Sequence, residues 1–159
     1  MNVKMVFQLF FSLLIFVFST AVAWYEGSAL LDRPFEWKYT ALFSQMINGE
    51  LAGTKDILQL DFFIYAAKFS PLFPLLMFIT GTYFLLLIAY LFLRNNPSMF
   101  WYCLIGIEIL FLILCVYTSN SPTAGLKLFF YISLLFGAIA LAVGFFKIWR
   151  GKMVFSRVN

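Results

Sequence analysis

The sequence predicts an all-α membrane protein with four transmembrane helices and a 46-residue extracytoplasmic link between the first two. Three observations carry that reading. Hydrophobic residues make up 64% of the chain and charged residues 11%, where a soluble domain holds about 25% charged residues. Twenty-two Phe, eight Tyr and four Trp are too many to hide in a core built from 159 residues. The apolar residues also gather into four runs of about 20, the length a helix needs to cross the hydrocarbon core. In lipid a backbone must satisfy its own hydrogen bonds, and a helix does so within one segment. The runs are residues 5–24, 71–93, 99–118 and 127–149, read as one integral membrane domain over residues 1–159.

The first run, Met5–Trp24, has two readings. Lys4, the apolar stretch Val6–Phe18 and the small residues Ala21 and Ala23 fit a signal peptide cleaved after Ala23. The run is nevertheless long enough to span, and Trp24 and Tyr25 suit an interfacial aromatic belt. Ser12, Ser19 and Thr20 are small polar residues of the kind that let membrane helices pack. The expectation is a retained helix; cleavage would leave Trp24 as an outward N-terminus.

The link, Tyr25–Ser70, holds six of the seven acids and four of the bases. Its "INGE" and "AGT" stretches carry turn chemistry. "GTKDILQLDFFIYAAKF" reads as a helix N-capped by Thr54, with Asp56 in its first turn, and stopped by Pro71 and Pro74. Its apolar residues are too dense for a helix wet on all sides, so it should lie on the membrane surface or pack on the other helices. The acids Glu26, Asp32, Glu36, Glu50, Asp56 and Asp61 show no spacing of a catalytic pair and read as a solvated face. Lys68 and Ser70 have no surrounding motif that would make them a hydrolase dyad.

The later links, "RNNPS" and "SNSPTAG", are short and rich in residues that stop and reverse a helix. They make the last three helices antiparallel neighbours, as in a four-helix bundle. Placing both termini in the cytoplasm puts Lys4, Arg94, Lys147, Arg150, Lys152 and Arg157 inside. Arg33, Lys38, Lys55, Lys68 and Lys127 are then outside, spread along much longer segments. That density difference sets the orientation and faces the link outward.

Several functions are disfavoured. The net charge of +4 is explained by cytoplasmic flanks, and no basic stripe suggests nucleic acid. With no histidine, His-ligated haem, most catalytic zinc sites and His-based triads are excluded. Cys103 and Cys115 lie twelve residues apart on one helix, about 18 Å along its axis, too far to form a disulfide with each other. There is no nucleotide or metal motif, so no cofactor and no catalytic residue is assigned. No internal repeat supports a transporter built from inverted halves.

Glu108 is the conspicuous oddity: it is the one acid inside a span. A charge at mid-membrane costs about 3 kcal/mol on insertion scales. No Lys or Arg lies at its depth, so the carboxyl should face the helix bundle. Thr80, Thr82 and Tyr83 on the second span, and Ser12 on the first, are candidate partners. Glu108 is therefore either a proton or cation site or an interhelical hydrogen bond, with the structural role favoured. On the fourth span Ser133, Gly137, Ala140 and Gly144 fall on one face of small residues. Such a face admits close backbone approach, either within the chain or to a second copy. Gly81 offers the same on the second span.

Two stretches carry a family resemblance: "FQLFFSLLIFVFSTAVAWYEGSALLD", Phe7 to Asp32, and "QLDFFIYAAKFSPLFP", Gln59 to Pro74. They resemble the YjdJ-like small integral membrane proteins of Bacillus-type bacteria. The resemblance implies a bacterial plasma membrane and a shared four-span layout, and it brings no established activity with it. The expected role is a non-enzymatic interaction or accessory protein, in contact with the bilayer and with other membrane proteins or itself. Two alternatives stand beside it: a small transporter or channel using Glu108, and a membrane enzyme acting on lipid or cell-wall precursors.

Overall fold

The computed structural model describes residues 3–155, without the side chains of residue 97 and residues 143–155. Among these residues every regular element is helical: α1 (Val3–Gly27), α2 (Pro34–Thr40), α3 (Leu42–Asn48), α4 (Gln59–Phe69), α5 (Leu72–Leu93), α6 (Pro97–Ser119) and α7 (Ala124–Phe155). Short 3-10 turns at Ser28–Asp32 and Thr54–Asp56 complete the set. Four segments are long and apolar enough to cross a membrane: Val3–Asp32, Leu72–Leu93, Ser98–Ser119 and Ala124–Ala142. They keep large apolar side chains such as Phe10, Phe11, Leu85, Ile113 and Leu135 exposed, as helices solvated by lipid do.

Two compact units divide the chain: Met1–Phe92 with Thr123–Leu126, and Leu93–Pro122 with Lys127–Asn159. In the first, a cap made of α2, α3 and α4 in sequence packs on α1, chiefly through α4. The cap has its own small core of Leu30, Ala41, Ile57, Phe62 and Tyr65, with Trp37 and Leu51 packed against it. Each large side chain buried there contributes about 1.5–3 kcal/mol. The cap is seated on the end of α1. Ser19, Ala23 and Gly27 are buried along one stripe of that helix, and the Trp24 ring lies 6.4 Å from that of Phe62. A Cβ on Gly27 would overlap the backbone carbonyl of Phe62, so glycine is what lets α1 and α4 touch through their backbones. Nearer the middle of the span, Phe16 covers Gly81 of α5, where a Cβ would stand 2.9 Å from the ring.

The helix anticipated from Thr54 begins at Gln59 instead. Ile57 and Leu58 are extended, because two tertiary interactions claim them. The Ile57 side chain is buried in the cap core, and the Leu58 N–H donates to Ser44 Oγ at 2.8 Å. Asp56 still serves a turn, its carboxylate accepting from the N–H groups of Ala52 at 2.9 Å and Gly53 at 3.0 Å. The "INGE" turn rests on Gly49, whose φ of 72° suits glycine.

In the second unit α6 starts with Asn96 as its cap, accepting from Met99 N–H at 3.4 Å, and Pro97 in the first turn. It runs antiparallel to α7, as three pairings show. Gly137 faces Glu108, the Phe111 and Phe136 rings are 5.7 Å apart, and the Cys115 thiol donates to the Phe130 carbonyl at 3.7 Å. Both cysteines are free.

Candidate functional site

Two places in the fold concentrate polar chemistry. The first is the centre of the cap. Asp61 was expected on a solvated face with the other acids of the link; it is instead 0% exposed. Its carboxylate accepts from the backbone N–H groups of Phe43 at 2.9 Å and Ser44 at 2.8 Å, and from the Ser44 hydroxyl. These N–H groups lie in the first turn of α3, where helical donors have no partner of their own and the dipole favours an anion. Ser44 in turn accepts from Leu58 N–H, so one buried carboxylate ties α4, α3 and the extended segment together. Charge-assisted bonds of this kind are stronger than neutral ones.

Around this lock the cap is finished by bonds to backbone carbonyls. Trp37 Nε1 donates to Leu30 O at 2.9 Å and Gln45 Nε2 to Trp37 O at 2.6 Å. Lys68 Nζ donates to the Tyr39 carbonyl and, at 3.3 Å, to Thr40 Oγ1. Burial holds the Lys68 ammonium below its ordinary pKa of 10.5, with Glu36 pulling partly the other way. Ser70 gives its N–H to the Ala66 carbonyl at the end of α4. Among the residues the cap leaves outward are three large apolar ones: Phe35 is 94% exposed, Met46 82% and Ile47 71%. The signal for Asp61 was present in the sequence as an acid amid "QLDFFIY"; its partners are backbone donors 17 and 18 residues away, which no motif announces.

The second place is Glu108. Its Oε1 is buried and has no hydrogen-bond partner among the described residues. It sits against Gly137, where a Cβ would stand only 2.7 Å from that oxygen. The structure thus joins two features that the sequence presented separately, the intramembrane carboxyl and the small-residue face of α7. On that face Ser133 is 1% exposed and its hydroxyl also lacks a partner. Ala140 is half-buried; the Gly144 position lies outside the described side chains. Several other hydroxyls in the spans are occupied locally. Ser12 donates to Leu9 O at 3.1 Å, and Thr80 to Leu76 O at 2.6 Å, the back-bonding typical of Ser and Thr inside helices. Thr82 is buried and Tyr83 exposed on α5. Ser19 Oγ and Glu26 Oε2 on α1 are further buried oxygens without partners. No group of three or more Cys, Asp or Glu side chains converges among the described residues.

Comparison with known proteins places the first unit in a wider context. A family model described as a domain of unknown function (DUF4306) matches residues 6–93. The "Uncharacterized protein YjdJ" of Bacillus subtilis (strain 168) is 47% identical over 94 residues, which are 58% of this chain and 84% of that protein. No solved structure matches. The match of the family model takes in α1, the cap and α5, with Asp61, Ser44 and Gly27 inside it. It ends before α6, so two of the four expected shared spans, with Glu108 and Gly137, lie beyond it.

Proposed function

The chain belongs to the DUF4306 family, and from that premise we propose that it is a non-enzymatic interaction or accessory protein of the bacterial plasma membrane. Its working part is the cap, carried on α1 at the outer surface, with both termini in the cytoplasm. The observation that supports this is a carboxylate-locked scaffold that carries exposed large apolar residues. Phe35, Met46 and Ile47 stand out on α2 and α3, although the chain has a core in which apolar residues could be covered. Exposed aromatic and Met side chains are enriched where proteins meet. The partner is another membrane protein or a second copy of the chain.

Photo-crosslinking from residue 35 or 46 in native membranes tests the reading. The expected result is a discrete protein adduct from each position and none from residue 53, on the "AGT" turn. Crosslinks to lipid alone, with the protein monomeric, would overturn it. The outward orientation has its own check: a cysteine at residue 35, in a chain lacking Cys103 and Cys115, should react with a membrane-impermeant maleimide added to intact cells.

A further inference from the structure

We propose that the C-terminal turn of α2, with Lys38 and Tyr39, forms with Lys68 of α4 a docking surface for the phosphate of an anionic phospholipid. This goes beyond the protein contact proposed above, which is carried by Phe35, Met46 and Ile47.

The argument begins with where the bilayer starts. Lys68 stands four residues before Leu72, the first residue of a segment apolar enough to cross a membrane. A second such segment begins at Ala124, and its Gly125 abuts the backbone carbonyls of Ala67 and Lys68 so closely that a Cβ would overlap them. Two spans thus begin beside Lys68, which sets this end of α4 at the membrane boundary. α2 is tied to the same level. The Lys68 ammonium donates to the Tyr39 carbonyl and, at 3.3 Å, to Thr40 Oγ1. The C-terminal turn of α2 therefore lies one lysine side chain from the boundary.

The residues at this level suit a headgroup layer. Tyr39 is 64% exposed, and tyrosine favours the interface between membrane and water. Lys38 is exposed, with its ammonium 5.8 Å from the centre of the Tyr39 ring. Two ammonium groups thus gather on Tyr39, one at its ring and one at its carbonyl. The protein answers their charge only in part. The Lys68 ammonium has three N–H donors and spends two on uncharged oxygens. Burial lowers its pKa, and Glu36 offsets that incompletely. Asp61, the acid of α4, is held in its own lock by Phe43 and Ser44. Lys38 and Lys68 against Glu36 leave one net positive charge. A phosphodiester brings one negative charge and oxygen acceptors for the remaining donors. A zwitterionic headgroup would bring its own cation against the lysines, so the match is to an anionic lipid.

The test is native mass spectrometry of the full chain in detergent, given phosphatidylglycerol and phosphatidylcholine of the same acyl chains in equal amounts. The expected result is preferential retention of phosphatidylglycerol. Lys38→Gln and Lys68→Met should each weaken that retention about fivefold, the contribution of one lysine near an anionic surface. Retention of phosphatidylcholine should not change. Lys68→Arg, which keeps the charge, should hold retention near the parent level. Lys55→Gln, in the turn Thr54–Asp56, should change neither lipid. The Lys38 side chain takes part in none of the hydrogen bonds that close the cap, so Lys38→Gln carries the test if Lys68→Met fails to fold. Equal retention of the two lipids would overturn the proposal, as would an effect of Lys55→Gln matching that of Lys38→Gln. Displacement of the lipid by inorganic phosphate would also overturn it, by identifying a site for the free anion. The readout is independent of crosslinking from residues 35 and 46, so this surface and the protein contact stand or fall separately.

Discussion

At the scale of single residues, Asp61 is the position on which the cap depends most. Removing its carboxylate leaves two backbone N–H groups and a buried hydroxyl without acceptors. Each unsatisfied buried group costs about 1–3 kcal/mol. Asp61→Ala should therefore destabilise the protein by about 3 kcal/mol or more, visible as a large drop in melting temperature in detergent. Asp61→Asn keeps one carbonyl acceptor and should lose about half as much. If Asp61→Ala melts like the parent, the lock is not what holds α3 to α4. The residue scale is also where the sequence was least legible. Glu108 stood out because an acid within an apolar run needs no partner to be conspicuous. Asp61 lay in a link with five other acids, and its burial is decided by backbone donors whose positions exist only after folding.

At the scale of elements, apolar run length announced four helices long and apolar enough to cross a membrane, because in lipid hydrophobicity and helix length are one constraint. The cap was harder to read for the opposite reason: α2 and α3 have seven residues each, too short for an isolated helix to be stable, and tertiary contacts decide where they stop. Lys68 lets one of those contacts be measured. Its folded pKa lies below the ordinary 10.5, mainly through burial, so between the folded value and 10.5 the unfolded chain binds more protons than the folded one. Stability then rises with pH across that window, and the cost of burying the ammonium is fully present below it. The melting temperature of the parent should climb in mildly alkaline buffer relative to Lys68→Met, which has no charge to bury. Parallel pH profiles for the two would show that Lys68 is not desolvated. A second expectation at this scale concerns α1. Ala23, the candidate cleavage residue, is fully buried between Ser19 and Gly27, and losing residues 1–23 would strip that stripe from the cap. Intact mass of C-terminally tagged protein from its own membrane should therefore include residues 1–23; a mass lacking them would make α1 a removed leader.

At the scale of the whole molecule, the first compact unit and the family match cover nearly the same stretch of chain, apart from Thr123–Leu126. The first unit runs through Phe92, and the family model ends at residue 93. The Bacillus subtilis relative has 84% of its length inside a 94-residue match, which leaves too little for two further spans of about 20 residues each. In this chain the cap core and the carboxylate lock lie within residues 28–69, inside the stretch that the family model matches. Later sequence also touches this unit: Gly125, in the first turn of α7, abuts the backbone carbonyls of Ala67 and Lys68 closely enough that a Cβ would overlap them. A chain ending at Asn96 loses that contact and keeps every bond that Asp61 and Ser44 make. It should insert, remain monodisperse in detergent and protect its cap from protease, with a melting temperature modestly below that of the full chain. Adding Asp61→Ala to the shortened chain should then remove the protease protection. If the shortened chain is degraded or aggregates while the full chain does not, the α6–α7 pair is a structural requirement of the cap rather than an addition beside it, and a separate role for Glu108 becomes the weaker reading.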